Sequence, residues 1–267
     1  MISVVTINLN NKVGLEKTIE SVISQDYRNK IEYIIIDGNS IDGSKDIINK
    51  YRDRIDKVLI EKDNGIFDAM NKGIELAKGG YIYFLNSGDV FVSNYVVRTV
   101  ISFIQQKDSE IYCGNVDALL DGKFIKKTDV YPWLPHQGAF VSRKLLLQYK
   151  FDTDFKIFGD LDLWVRLKKD NNLVVKYLDF SIASMEMDGI GSNPVFWRKR
   201  LRDKRIFNKK HHVGSYVMIF LYLDNILGYL VYRIFGSYIY WKYYIYFRMK
   251  LKRKMYAESN NTLSKLY

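Results

Sequence analysis

The stretch IEYIIIDGNS, residues 31–40, is the part of the sequence that decides the fold. Its apolar residues run almost without interruption up to Asp37, and a polar turn follows. A nearly continuous apolar run is typical of a parallel strand whose sheet is covered on both faces. The segment therefore predicts a buried parallel strand that ends in a carboxylate.

Three other segments of the first hundred residues repeat this plan of an apolar strand that leads into a polar turn. They are ISVVTINLN (2–10), IDKVLIEKDNG (55–65) and YIYFLNSGD (81–89). Helical stretches near residues 15–25, 44–54 and 66–79 separate the strands. Because strands that alternate with helices indicate βαβ units, we predict an α/β fold with a mostly parallel central sheet and helices on both faces.

All four predicted strands end in polar or acidic residues, at positions 6–8, 37–40, 61–64 and 87–89. Right-handed crossovers place the loops after parallel strands at one edge of the sheet, where open α/β sheets bind their ligands. We therefore expect the four strand ends to form one site. Polar loops without a shared function are the alternative.

Composition indicates a folded protein, since the chain is 48% hydrophobic and 27% charged with 3 prolines, and the use of one cysteine makes a reducing compartment the default. A single cysteine, Cys113, excludes intramolecular disulfides and any zinc site built from cysteines. The first residues resemble a strand and have no basic region followed by a long apolar stretch. We therefore predict a cytoplasmic protein.

Positive charge is concentrated at the C-terminal end, where residues 190–267 contain 16 basic and 3 acidic residues. Residues 213–247 are apolar and aromatic, but their charges leave no uninterrupted piece of the ~20 residues that a membrane-spanning helix needs. We predict a catalytic domain over 1–194 and a basic amphipathic helical tail over 195–267. The tail is expected to bind an anionic membrane surface, peripherally on the inner face. A helical hairpin buried on the domain or in a homodimer is the alternative.

Six motifs of the chain, taken in order, resemble those of the family 2 glycosyltransferases with the GT-A fold. The resemblance covers roughly residues 1–190, and EKDNGIFDAMNKGI with LNSGD looks most like bacterial enzymes of O-antigen, capsule or exopolysaccharide synthesis. It implies a nucleotide-binding half at about 1–100 and an acceptor half at about 101–194. The motifs are VVTINLNNKVGLEKTIESVISQ, EYIIIDGNSIDGSKDII, DNGIFDAMNKGI, LNSGD, HQGAFVSR and GDLDLWVRL.

The resemblance implies a site for a nucleotide-sugar and for Mn²⁺ or Mg²⁺. Asp89 takes the place of the last acid of the family's DxD motif, which coordinates the metal, while Ser87 replaces the first acid. Gly88 lets the backbone approach the diphosphate. A cap of the following turn is the alternative role of Asp89.

Nucleoside contacts are implied at five further positions: Thr6, Asn8, Asp37, Asp63 and Asn64. A carboxylate at Asp37 that accepts from the imide N–H of uracil would select uridine over cytidine. Gly38 stands where the family often has a second acid, so this part of the match is incomplete.

The resemblance implies that Asp160 is the general base and Asp162 the third acid of the family's pattern, and the helix N-terminus favours the ionised form of Asp160. Gly159 replaces the first acid of the family's acidic pair. A lone base opposite the departing nucleotide implies a single displacement with inversion; an N-cap role of Asp160 is the alternative. Contacts with the acceptor or the donor sugar, or else capping, packing or structural roles, are expected for Asp68, Asn71, His136, Gln137 and Asp162.

Together these features predict metal-dependent transfer of one sugar from a UDP-sugar to a polyprenyl-diphosphate-linked saccharide. The chain lacks the Gln-x-x-Arg-Trp motif of processive synthases, since residues 195–202 read VFWRKRLR. A sugar-nucleotide nucleotidyltransferase is an alternative, although the N-terminal Gly-rich loop of that class is absent. A nucleic-acid-binding protein is another, but the tail's aromatic residues lie in long apolar stretches instead of on a spaced stacking face.

Overall fold

The computed structural model describes residues 1–106, 108–120, 122–128, 136–170, 173–187, 189, 193–212 and 215–240. The end of the predicted tail, residues 241–267, lies outside these residues. The chain forms two compact units, of which the first comprises residues 1–154 and 166–187 and the second comprises 155–165 and the part from 188 onward. The predicted boundary between residues 194 and 195 stays a prediction.

The first unit alternates strands and helices along its N-terminal half, as the apolar runs predict. Its elements are β1 (Ile2–Asn8), α1 (Lys12–Ile23), β2 (Ile31–Asp37), α2 (Ser44–Lys50), β3 (Lys57–Ile60), α3 (Ile66–Leu76), β4 (Tyr81–Phe84), β5 (Val90–Phe91), α4 (Val96–Ile104), β6 (Ile111–Leu120), β7 (Lys123–Thr128), β8 (Ala139–Ser142), α5 (Arg143–Tyr149) and β9 (Val175–Glu186). Helix α6 (Gly159–Leu167) links the two units along the chain.

In the described residues, nine strands form one sheet in the order β3-β2-β1-β4-β8-β6-β9-β5, with β7 paired to β6. The first four strands of this order are parallel, which confirms the predicted βαβ arrangement. Beyond β4 the sheet is mixed, because β8 pairs antiparallel with both β4 and β6. An antiparallel neighbour needs no crossover helix, so a short strand can be inserted there without a βαβ unit.

Helices cover both faces of the parallel strands because successive side chains point to opposite faces. Val4 belongs to a buried cluster with Leu15 of α1 and Val97 of α4. The next residue, Val5, faces α3 so closely that a Cβ on Gly73 would lie 2.5 Å from its Cγ1. Glycine at that position therefore allows α3 to pack directly on β1, and burial of each such aliphatic side chain contributes about 1.5–3 kcal/mol.

The second unit contains α7 (Trp197–His211) and α8 (Ser215–Ile239). A short 3₁₀ turn at Pro194–Phe196 precedes α7, and the Asn193 side chain caps it by accepting from the N–H of Val195 at 3.0 Å. Gly236 (φ 79°) kinks α8 near its end. None of the helices in the described part of the chain combines the length and the apolar character that a membrane crossing needs.

Candidate active site

The ends of β1 and β2 form a buried hydrogen-bond network around Asp37. The amide Nδ2 of Asn8 and the hydroxyl of Ser40 donate to Asp37 Oδ2 at 2.7 and 2.8 Å, and the Ser40 N–H donates to Oδ1 at 2.7 Å. The Asp37 carboxylate is therefore satisfied within the protein. Asn8 is 4% exposed, and none of the described residues hydrogen-bonds to its Oδ1. This oxygen is therefore a buried acceptor that the network leaves unsatisfied among the described residues.

Thr6 lies deeper in the sheet than its neighbours in the predicted set. Its side chain is fully buried, and its hydroxyl is 2.8 Å from the carbonyl oxygen of Leu85 and 3.1 Å from the hydroxyl of Tyr33. Thr6 thus joins β1 to its two neighbouring strands. Its role in nucleobase binding stays a prediction.

Asp63 occupies the space that a side chain at position 38 would fill. A Cβ on Gly38 would come within 2.5 Å of Asp63 Oδ2, while Asp63 Oδ1 accepts from the N–H of Gly65 at 2.9 Å. The acid that the family often has at position 38 is thus replaced in space by an acid from the loop after β3. This placement brings Asp63 to the Asp37 end of the site, and Asn64 follows it in an exposed position.

Asp68 and Asn71 of α3 make contacts that belong to the helix and its packing. Asp68 Oδ2 accepts from the N–H of Asn64 at 2.9 Å, as an acid near a helix start does. Asn71 donates to the carbonyl of Phe151 and accepts from its N–H, both at 2.9 Å. These contacts match the capping and packing alternatives, and a substrate role of either residue stays a prediction.

The corner after β4, residues 86–89, is held against the start of α1. The Gly88 N–H donates to the Thr18 hydroxyl at 2.9 Å, and that hydroxyl oxygen lies 2.8 Å from the carbonyl of Asp89. Asn11, the N-cap of α1, donates from Nδ2 to the carbonyl of Ser87 at 3.0 Å. Gly88 has φ +104°, a left-handed conformation that glycine adopts without strain.

Asp89 carries a buried charge that the protein compensates only in part. Its side chain is 8% exposed, and burial raises its pKa to about 7, although nearby His136 and a hydrogen bond from the Gln137 side chain both lower it. His136 Nε2 is also 3.0 Å from Asn86 Nδ2. The structure thus brings His136 and Gln137 close to Asp89, and their role near the donor phosphate stays a prediction.

The residues around Asp89 fit a divalent cation bound together with a diphosphate. A cation would match the buried charge, and a carboxylate oxygen is the ligand that Mg²⁺ and Mn²⁺ prefer. In the described part of the chain, no cluster of three or more His, Cys, Asp or Glu side chains could hold a metal by itself. Such sites usually complete their coordination with water and substrate phosphates, so one carboxylate is compatible with this role.

In the second unit, Asp160 and Asp162 lie in the first turn of α6 and have different surroundings. Asp160 is partly exposed, and its Oδ1 accepts from the N–H of Leu161 at 2.8 Å. Asp162 is fully buried, with Oδ1 at 2.8 Å from His211 Nε2 and 3.0 Å from Lys210 Nζ. The Asp162 carboxylate therefore binds α7, whereas Asp160 is partly exposed, and the roles of both acids in catalysis stay predictions.

Comparison with known proteins decides the family. The model of the family "Glycosyl transferase family 2" matches residues 3–155. This chain belongs to the family 2 glycosyltransferases. Its relatives include a Mycobacterium tuberculosis glycosyltransferase, 31% identical over 209 residues that cover 72% of this chain and 77% of the relative. A PGL/p-HBAD biosynthesis glycosyltransferase of Mycobacterium bovis is 25% identical over 221 residues, or 76% and 83% of the two chains.

Solved structures show that this family 2 glycosyltransferase has the GT-A fold. Residues 1–349 of Staphylococcus aureus TarS in complex with UDP match with a TM-score of 0.60 at 16% identity, over 76% of this chain and 64% of that one. The mannosyltransferase PcManGT of Pyrobaculum calidifontis, in complex with GDP-Man and Mn²⁺, matches with 0.62 at 14% identity, over 80% and 65%. These matches confirm the predicted fold, family and enzyme class. They favour a glycosyltransferase over the two alternatives, a sugar-nucleotide nucleotidyltransferase and a nucleic-acid-binding protein.

Several residues of this family 2 glycosyltransferase site were not predicted from the sequence. Ser40 follows Asp37 by three residues, a spacing typical of a side chain that bonds a following turn, so its part could have been foreseen. Thr18 and Asn11 belong to α1, and their contacts with residues 87–89 arise only from the fold. No local pattern marks them.

Proposed function

We propose that this protein transfers one sugar from a UDP-sugar to a hydroxyl of a lipid-diphosphate-linked saccharide, with inversion and with a divalent cation. The observation that carries the proposal is the buried carboxylate of Asp89, which follows a parallel strand beside a left-handed glycine and whose charge His136 and Gln137 compensate only in part. Synthesis of a bacterial surface polysaccharide is the process that we propose for it, since the motifs resemble enzymes of that class.

The preference for a uridine donor rests on the Asp37 network. Because Asn8 Nδ2 is bound to Asp37, the amide presents its oxygen, a buried acceptor for which the imide N–H of uracil is a suitable donor. Neutral cytosine lacks this N–H. TarS has been solved with UDP-GlcNAc as well as with UDP. We therefore propose that Asp37 does not contact the nucleobase directly and acts through Asn8. Asp63 lies next to Gly38, the residue after Asp37.

We propose that residues 87–89 bind the donor diphosphate. Gly88 has no side chain to keep the phosphates from its backbone, and Asp89 would hold the cation with the phosphate oxygens as its other ligands. When bound, the cation neutralises the diphosphate and stabilises the departing nucleotide. His136 and Gln137, which adjoin Asp89, are proposed to contact the same phosphates.

The reaction that we propose needs one base, Asp160. The acceptor hydroxyl oxygen attacks the anomeric carbon of the donor while its proton passes to the Asp160 carboxylate. The bond between the anomeric carbon and the diphosphate oxygen breaks, and the nucleotide leaves with the electron pair. Attack from the face opposite the leaving group inverts the anomeric centre. The absent Gln-x-x-Arg-Trp motif supports transfer of one sugar per encounter.

A donor-hydrolysis panel tests this function. Purified full-length protein is incubated with UDP- and GDP-sugars and Mn²⁺, and release of the nucleotide is measured. We expect hydrolysis of a UDP-sugar that requires the cation, with losses of about 10²–10⁴-fold in Asp160→Asn and at least as large in Asp89→Ala. Asp53→Asn, which changes an exposed acid, is the matched control. Full activity in both site variants would contradict the proposal.

We propose that the second unit holds the enzyme at an anionic membrane on the cytoplasmic side, near a polyprenyl-diphosphate acceptor. Helix α8 exposes an apolar stripe of Leu223, Ile226, Leu227, Leu230 and Ile234, at helical spacing. Helix α7 exposes basic side chains such as Arg198, Arg202 and Arg205. Apolar and basic faces together suit an anionic lipid surface.

Sedimentation with vesicles tests the membrane proposal. We expect binding to vesicles that contain phosphatidylglycerol, weaker binding to pure phosphatidylcholine, and several-fold loss of binding in Leu227→Glu. Glu61→Gln, an exposed change in the first unit, is the control. Unchanged sedimentation of Leu227→Glu would favour the alternative of a homodimer, which the concentration dependence of the molecular mass would reveal.

A further inference from the structure

Asp203 of α7 is a buried acid in a helix that is otherwise strongly basic. Among the fifteen residues of α7, eight are Lys or Arg and Asp203 is the one acid. The side chain is fully buried, and its Oδ2 accepts from three consecutive backbone N–H groups, those of Lys156, Ile157 and Phe158, at 2.8, 2.6 and 3.1 Å. A helix that served only to meet an anionic surface would gain nothing from this residue.

Three consecutive N–H groups that converge on one oxygen form a concave anion site made by the backbone. Bonds from N–H groups to an ionised carboxylate are roughly twice as strong as bonds between neutral groups. Because all three donors share one acceptor, the path of residues 156–158 is fixed relative to α7. The first bond of α6, from the N–H of Asp162 to the carbonyl of Phe158, starts at the end of this segment.

A second contact with α7, made by α6 itself, lies on the other side of Asp160 along the chain. The fully buried Asp162 accepts from His211 and pairs with Lys210, at the C-terminal end of α7. Asp160 therefore lies between two buried anchors, one at residues 156–158 and one at Asp162. Phe207 supports the first anchor from the same helix, since its ring stands edge-on to Phe155 at 6.4 Å.

We propose that Asp203 is a positioning residue that sets the geometry of Asp160, and that α7 is in this sense part of the catalytic apparatus. The inference rests on the proposed role of Asp160 as the base. Loss of the Asp203 charge would weaken its hold on residues 156–158 and let the α6 N-terminus shift. A shift of about 1 Å in a catalytic group can lower the rate of the chemical step by about 10²-fold.

The test uses the full-length protein and the UDP-sugar that the wild type hydrolyses fastest in the presence of Mn²⁺. Asp203→Asn keeps the shape of the side chain and removes its charge. Titration with UDP by calorimetry counts the molecules that retain the donor site, and kcat is expressed per such molecule. We expect kcat to fall about 10- to 100-fold with KM for the donor within about twofold of the wild type. Asp53→Asn is again the control.

A double variant separates positioning from a merely structural role. If Asp203 acts through Asp160, the variant Asp160→Asn/Asp203→Asn will have the kcat of Asp160→Asn alone within about twofold, because effects of residues that act as a unit are not additive. Multiplied losses would overturn the inference. If Asp203→Asn does not fold, Asp203→Glu retains the charge, displaces it by one methylene, and is expected to lower kcat in the same manner.

The outcomes distinguish this inference from the proposed function. Loss of activity in Asp160→Asn with an unchanged kcat per UDP-binding molecule in Asp203→Asn overturns the positioning role alone. Full activity in Asp160→Asn overturns the proposed base and the positioning role with it. A selective loss of kcat in Asp160→Asn and in Asp203→Asn, with the double variant no slower than Asp160→Asn, supports both the proposed base and the positioning role.

Discussion

The corner after β4 contains a buried carboxylate and the turn before α6 binds one from α7, yet the two carboxylates have very different partners. At the corner, burial raises the pKa of Asp89 to about 7, and its compensation comes from nearby His136 and a bond from Gln137. At the turn, Asp203 accepts three backbone N–H bonds on one oxygen. Burial alone therefore does not identify a functional acid; the partners of its carboxylate must be known as well.

Asp37 shows that the same distinction applies inside the candidate site. This acid is as buried as Asp203, and Asn8 and Ser40 satisfy it fully. Asp37 is therefore a structural acid, and the contribution to donor binding that we propose for it is indirect: its bond to Asn8 Nδ2 leaves the amide oxygen as the acceptor. A residue that the sequence predicts to contact a ligand can thus instead orient the residue that does.

The largest expected effect concerns the stability of the protein without ligand. At pH 8, replacement of Asp89 by Asn should raise the free energy of unfolding, and replacement of Asp203 by Asn should lower it. The folded-state pKa of Asp89 lies above its ordinary value of 3.8, so the folded protein retains a proton that the unfolded chain has lost. Stability should therefore fall as the pH rises from about 4 to about 7. A difference of about 3 pKa units corresponds to about 4 kcal/mol, which Asp89→Asn should recover at pH 8.

Urea denaturation in EDTA at pH 5 and pH 8 measures this effect. Asp89→Asn should be more stable than the wild type at pH 8, and its advantage should shrink at pH 5. Asp203→Asn should be less stable than the wild type at both pH values, because a buried charge-assisted network is broken. Mn²⁺ with UDP should stabilise the wild type and leave Asp89→Asn unchanged. A loss of stability in both variants at pH 8 would contradict the prediction that burial of the Asp89 charge destabilises the folded protein.

The sequence predicts the first of these regions far better than the second. An apolar run followed by a polar turn marks each parallel strand end, so the positions of Asp37 and Asp89 could be read from local pattern alone. The hydrogen bonds that Asp203 accepts join residues 45 to 47 positions apart, and no periodic pattern of the sequence predicts them. Charge composition suggests a separate basic tail, and offers no hint that α7 binds the turn before α6.

Strand order shows the same limit of local pattern. The periodicity of residues 2–89 predicts β1 to β4 and their helices, whereas nothing in the four residues of β8 tells that they are inserted antiparallel beside β4. Gly38 illustrates a subtler case. In the sequence, Gly38 stands where the family often has an acid. In the structure, Asp63 of the loop after β3 occupies the space that a side chain at position 38 would fill. Pairings between distant segments require the fold.

The smallest expected effect concerns the neutral hydrogen bonds that hold the corner at residues 86–89. Thr18→Val keeps the shape of the side chain and removes the hydroxyl that accepts from Gly88 and lies next to the carbonyl of Asp89. The part-buried N–H of Gly88 loses its partner, which costs about 1–2 kcal/mol, and the Gly88 backbone loses the fixed position that we propose for diphosphate binding. We expect a loss of about 1–2 kcal/mol in urea denaturation, together with a KM for the UDP-sugar raised a few-fold. Thr18→Ser, which retains the hydroxyl, should keep the donor KM of the wild type; equal defects in both variants would show that the methyl group, and not the hydroxyl, holds the corner.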